Sequence, residues 1–141
     1  MPAEQEDYIK RQIDQMGQVL GKILAGFTGF KACGQVNQGI EAAGRALTAE
    51  LGLNFDDLAL IPAESFLTTL LETKKFSENN FEKLAELMFL VAEELKGGNT
   101  GGVQMKNLYG RALIIFEILD QTSSTYSYDR HSKIEKIRKV L

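Results

Sequence analysis

The chain has 141 residues, 44% of them hydrophobic and 25% charged, with a formal net charge of −3. That suffices for one domain, residues 1–141, with a core that needs no metal or disulfide, and it is too apolar for a disordered chain. A single cysteine and a single histidine exclude an internal disulfide and a metal-ligand cluster, no run of about 18 uncharged apolar residues is present to span a membrane, and the acidic start lacks a signal-peptide core, so a cytoplasmic protein without a cofactor is expected.

Apolar residues recur at three and four throughout, which is the helical period. In the first segment Ile9, Ile13, Met16, Leu20, Ile23, Phe27 and Phe30 form an unbroken heptad seam that another helix must cover. Gly26, Gly29 and Gly34 place the end of this helix near 25–30. A second helix is predicted over 35–51, with Val36, Ile40, Ala43 and Leu47 facing in, an i, i+4 pair between Glu41 and Arg45, and Gly52 as C-cap. Asn54 with Asp57 starts a short helix through Leu60. Pro62 opens another, with Phe66, Leu67, Leu70 and Leu71 inward and Lys74 and Lys75 at its C-terminal end.

Asn79 and Glu82 have capping-box spacing, and the helix they start carries Phe81, Leu84, Met88, Val91 and Leu95 on one face. Residues 87–92 are apolar all round, so this helix should be central, stopping at Gly97. The glycine-rich stretch 97–102 follows a helix and lacks the Gly-Lys-Ser/Thr ending of a phosphate loop, so it reads as a turn. The next helix, 103–120, buries Leu108, Ala112, Ile115 and Leu119, and forms a hairpin with its predecessor. The last helix starts after Ser127 and docks through Ile134, Ile137 and Leu141 as an outer cap.

The polar residues give no catalytic set. Cys33 has no CxxC or histidine partner and reads as a small buried hydrophobe. His131 reads as a surface or capping residue, with no activated-nucleophile motif in the chain. The pairs Asp56-Asp57 and Glu93-Glu94 diverge by about 100° on a helix and cannot converge on one atom. Arg130, Lys133, Lys136, Arg138 and Lys139 against Glu135 make residues 130–141 +4, leaving −7 for the rest. This basic end suits the negative terminus of a helix dipole; the alternative is an acidic or nucleic-acid partner.

Two patterns bear on association. Gly-Arg-Ala-Leu occurs at 44–47 and at 110–113, an offset of 66 residues that suits two helical-hairpin repeats; Tyr109 with Ala112-Leu113 is similar to the tetratricopeptide Tyr-x-x-Ala-Leu. Gly17, Gly21, Ala25 and Gly29 make a small-residue stripe on the first helix, where a second helix can approach closely.

The opening Glu6-Asp7-Tyr8-Ile9-Lys10-Arg11-Gln12-Ile13-Asp14-Gln15-Met16-Gly17 resembles the start of an uncharacterised family of small bacterial helical proteins. The segment Tyr126-Ser127-Tyr128-Asp129-Arg130 and the helix after it are similar to that family's end. The resemblance implies a fold similar to tetratricopeptide hairpins and nothing catalytic, with the glycine-rich loop as a local departure. The expectation is therefore an all-α array of about six or seven helices in antiparallel hairpins with a C-terminal capping helix. The expected function is a helical-hairpin adaptor for a protein or peptide, with Gly17, Gly21, Ala25, Tyr126, Tyr128 and Arg130 as candidate contacts and a homodimer through the first helix as one form. The alternatives are an enzyme whose site is assembled from distant helices, or binding of an acidic partner by the basic last helix. If the stripe holds a second copy, Gly21→Leu should convert a dimer into a folded monomer by light scattering; unchanged mass with lower stability places the stripe inside the fold.

Overall fold

The computed structural model describes residues 3–73, 75–97 and 103–141. Among them there are seven α-helices and one 3-10 turn, and no strand. Lys74 and the glycine-rich segment 98–102 lie outside the described residues. The helices are α1 (Ala3–Ala32), α2 (Val36–Leu51), α3 (Phe55–Leu60), α4 (Phe66–Leu71), α5 (Glu78–Gly97), α6 (Val103–Thr122) and α7 (Tyr128–Val140), with the 3-10 turn (Ala63–Ser65) after Pro62.

The heptad seam of α1 faces inward as its spacing requires: Met16, Leu20, Ile23 and Phe27 are buried and Ile9, Ile13 and Phe30 half-buried. The helix runs past its glycines to Ala32, because Gly34 takes the left-handed conformation (φ 73°) and closes a Schellman motif. The Gln35 N–H reaches the Phe30 carbonyl at 2.8 Å, and the Gly34 N–H the Lys31 carbonyl at 3.1 Å. This turn sends α2 back along α1. Gly39 is buried where they touch: a Cβ there would stand 2.8 Å from Phe30 Cβ.

Helix α5 begins two residues earlier than its sequence suggests. The cap is Ser77, whose hydroxyl accepts the Asn80 N–H at 3.2 Å, and not Asn79, which is exposed inside the first turn. Phe76 stacks on Phe81 at 4.8 Å, a hydrophobic staple that fixes the entry of the chain. Residues Leu84, Ala85, Leu87, Met88, Phe89, Val91 and Ala92 are all buried, so α5 is the central helix. Helix α6 packs along it through Leu108, Ala112, Ile115 and Leu119, as expected, with Tyr109 and Phe116 also buried.

Polar contacts give the helix directions. Asn80 and Lys83 near the start of α5 reach the Ile13 and Gly17 carbonyls, and Glu94 near its end pairs with Lys31, so α1 and α5 run parallel. Arg130 and Lys133 of α7 pair with Glu82 and Glu86 in the same order along α5, while Arg130 and Arg138 meet Asp120 and Glu117 in reverse order along α6. Helices α1, α5 and α7 therefore point one way and α2 and α6 the other. The buried apolar residues of all seven form one contiguous core.

Three inward assignments are corrected. Leu71 is exposed, because α4 ends there and Phe66 and Leu70 already use its inward face. Leu141 is exposed beyond the last turn of α7, which docks through buried Ile134 and Ile137 with half-buried Val140 beside them. Cys33 is exposed, because α1 outruns its cover and Cys33 falls in the turn.

The close crossing of α1 and α2 gives a direct test. Gly39→Ala should destabilise the protein by about 1–3 kcal/mol in urea denaturation through overpacking against Phe30, against the roughly 1 kcal/mol that alanine normally gains over glycine in a helix.

Candidate functional site

Three helix ends and the middle of α2 leave a cleft of about 590 Å³ between the α1–α2 hairpin and the α5–α6 hairpin. Its base is apolar. Phe55 of α3, Val91 of α5 and Leu108 of α6 are buried there, and Ile40 and Leu95 are half-buried on the sides. Its mouth is polar, with Glu41, Arg45, Asp56 and Gln104 all exposed.

Local sequence sets each wall. The α3 capping box joins Asn54 Oδ1 to the Asp57 N–H at 2.8 Å and Asp57 Oδ2 to the Asn54 N–H at 3.0 Å. Asp57 is thereby used in the cap, Asp56 is left at the mouth, and Phe55 is turned inward. The far end of α3 is held by α6: Arg111 Nε donates to the Ile61 carbonyl at 2.8 Å. The end of α2 is held by Lys75 Nζ, which donates to the Glu50 carbonyl at 3.2 Å. On the α2 wall Gly44 presents no side chain; a Cβ there would rest 3.7 Å from the Phe55 ring, an ordinary contact. The glycine therefore opens the cleft over that ring without being required by packing.

The charges at the mouth are not spent inside the molecule. The expected Glu41–Arg45 ion pair does not close, which costs little, since such exposed pairs contribute only a few tenths of a kcal/mol. Among the described residues Glu41, Arg45 and Asp56 form no ion pair or side-chain hydrogen bond. Arg111, the matching arginine of the second Gly-Arg-Ala-Leu, is consumed structurally. The two copies are not equivalent places in the fold: Leu47 is fully buried and Ala46 half-buried, whereas Ala112 is fully buried and Leu113 half-buried.

The residues singled out from sequence do not gather at this cleft. Gly17 is buried beneath α5, where a Cβ would stand 2.8 Å from Asn80 Oδ1, so it is an internal contact and not a partner contact. Gly21 and Gly29 have open space beside them, and Ala25 is exposed. Arg130 is also internal. Its side chain is 9% exposed, its Nε donates to both Glu82 carboxylate oxygens at 3.2 and 3.1 Å, and its Nη1 lies 3.6 Å from Asp120. Tyr126 and Tyr128 are exposed. Tyr126 lies against His131 at 6.0 Å between ring centres, and His131 Nε2 lies 3.3 Å from Glu135, so the histidine sits in the first turns of α7 as a surface residue. Ser127 caps that helix through the Arg130 N–H, as expected.

A second, smaller concavity of about 320 Å³ lies on the α1–α2 hairpin, where Val19, Ile23, Gly26, Phe30, Ala42 and Ala46 leave an apolar groove with Lys22 beside it. No three acidic, cysteine or histidine side chains come together to hold a metal among the described residues, and none of the described helices is long and apolar enough to cross a membrane. No protein-family model, curated protein or solved structure matches the chain.

One titratable group stands out. Burial, reinforced by the Glu93 carboxylate nearby, pushes the Tyr109 phenol well above its ordinary value, and the hydroxyl closes no well-formed hydrogen bond. A raised phenol contributes stability that is present below its unfolded value, about pH 10, and is lost as pH rises through the folded value. Thermal melts between about pH 9.5 and 12 should fall less steeply for Tyr109→Phe than for the parent. Identical alkaline slopes would show that another group governs that limb.

Proposed function

We propose that the chain is a non-catalytic interaction module that holds a short peptide segment of a partner protein in the cleft between its two hairpins. The observation that carries this reading is the combination at one place of an apolar base and a mouth whose charges of both signs have no partner among the described residues. Binding sites of this volume class pair an apolar lining with a few convergent polar groups. The resemblance of both chain ends to small bacterial helical proteins agrees with an adaptor in a bacterial cytoplasm, and implies no chemistry.

The two alternatives find less support. An enzyme would need acid–base groups held together and oriented in the cleft; neither His131 nor Cys33 lines it, and its two carboxylates, Glu41 and Asp56, stand exposed at the mouth with no side-chain hydrogen bond among the described residues to orient them. The Thr48 hydroxyl that lines the cleft is donated to the Gly44 carbonyl at 2.8 Å. Nucleic-acid binding through α7 would need its cations free. Arg130, Lys133 and Arg138 instead face Glu82, Asp120, Glu86, Asp129 and Glu117. Self-association through α1 is a second reading, favoured by the open space beside Gly21 and Gly29.

Gly44→Leu tests the cleft with little structural risk. The first added carbon meets only an ordinary contact, and leaving glycine raises helix propensity by about 1 kcal/mol, so the variant should melt no lower than the parent. The rest of the leucine side chain then occupies the space over Phe55. A displayed random-peptide library panned on the parent should enrich families that the variant does not retain. Equal enrichment on both proteins, or none on either, would reject the cleft as the binding site.

A further inference from the structure

The charges around the cleft say more than that something binds. Glu41 and Asp56 stand at the mouth against Arg45 alone, so the rim carries one net negative charge. The wider field has the same sign, since the whole chain carries a formal net charge of −3. A rim with an excess of one sign of charge favours the opposite sign in what it binds.

Arg45 does not cancel this preference, because a guanidinium can be satisfied by a neutral main-chain carbonyl and need not take an anion. Arg111, at the same position of the repeated tetrapeptide, gives its guanidinium to a main-chain carbonyl, that of Ile61. Arg45 carries the same donor fork and meets no carbonyl of its own chain among the described residues. A partner's main-chain carbonyl satisfies it and carries no charge. The two carboxylates are then left for side chains, and the base of Phe55, Val91 and Leu108 for an apolar anchor.

We infer that the cleft selects peptide segments in which one large apolar side chain is flanked by lysine or arginine. The apolar residue sits over Phe55, the main chain is held by Arg45, and the flanking cations face Glu41 and Asp56. This rests on the interaction reading above and specifies its partner.

The test uses the peptides enriched on the parent protein, labelled and titrated by fluorescence anisotropy. Their sequences should carry basic residues beside a leucine or aromatic. Exchanging those residues for glutamate should abolish binding, and the double variant Glu41→Gln/Asp56→Asn should bind the original peptide about fivefold more weakly with an unchanged melting temperature. Affinity should also fall as salt is raised. Enrichment of acidic or uncharged flanks, or an affinity untouched by the double variant, overturns the charge selection while leaving the cleft as a binding site. Failure to enrich any peptide over Gly44→Leu overturns both.

Discussion

Over residues 87–92 helix α5 is apolar all round, and a helix of that kind has no stable place except inside. Leu84 and Met88, Leu87 and Val91, Ala85 and Ala92 point in different directions and are all buried. Covering them takes α1 on one side, α6 along another, and the start of α7 near its N-terminal end. The helices that surround α5 can then afford ordinary amphipathic sequences. The α1 contact is polar as well as apolar: Asn80 Nδ2 donates to the Ile13 and Lys75 carbonyls, both at 2.8 Å, and Lys83 Nζ to the Gly17 carbonyl at 3.1 Å. A buried carboxamide fixed by two carbonyls sets register, since sliding α1 by one residue would strip it of the Ile13 carbonyl and leave one N–H unsatisfied, at a cost of about 1–3 kcal/mol. Gly17 makes room for it.

The basic C-terminal segment shows how misleading a linear charge count is. In sequence, +4 over residues 130–141 is a conspicuous patch. In the fold, α7 lies across the acids of α5 and α6, and Arg130 sits between Glu82 and Asp120. The segment works as an electrostatic fastener for the cap, with Ile134 and Ile137 supplying the apolar part of the same contact. Lys136 and Lys139 stay exposed on its outer side.

Periodicity and caps made most of the fold legible. The α1 seam, the Asn54–Asp57 capping box, Gly52 as a left-handed C-cap and Ser127 as an N-cap are all local, and each appears where the spacing puts it. What was misread depended on tertiary contacts. Asn79 looked like a cap because Glu82 follows at the right distance, but Glu82 turns to Arg130 while Ser77 and the Phe76–Phe81 staple form the helix start. Cys33 looked buried by residue type and is exposed by position. The cleft was invisible for a related reason: its walls come from residues as far apart as Ile40 and Leu108, and no short motif encodes their meeting. The one available signal was the repeated Gly-Arg-Ala-Leu, whose meaning lies in the different fates of its two arginines.

The cleft also has a mechanical meaning. Helix α2 leans chiefly on α1, while α3 is tied to α6 through Arg111, so the two long walls come from different helical hairpins over one shared core. An occupant touching both walls would act as a crosslink between those hairpins, in parallel with the Asn80 and Lys83 contacts along α1. By mass action, a ligand present at a hundred times its dissociation constant adds about 2.7 kcal/mol to the stability of whatever state binds it. Here that increment would favour the arrangement of the two hairpins in which both walls reach the occupant.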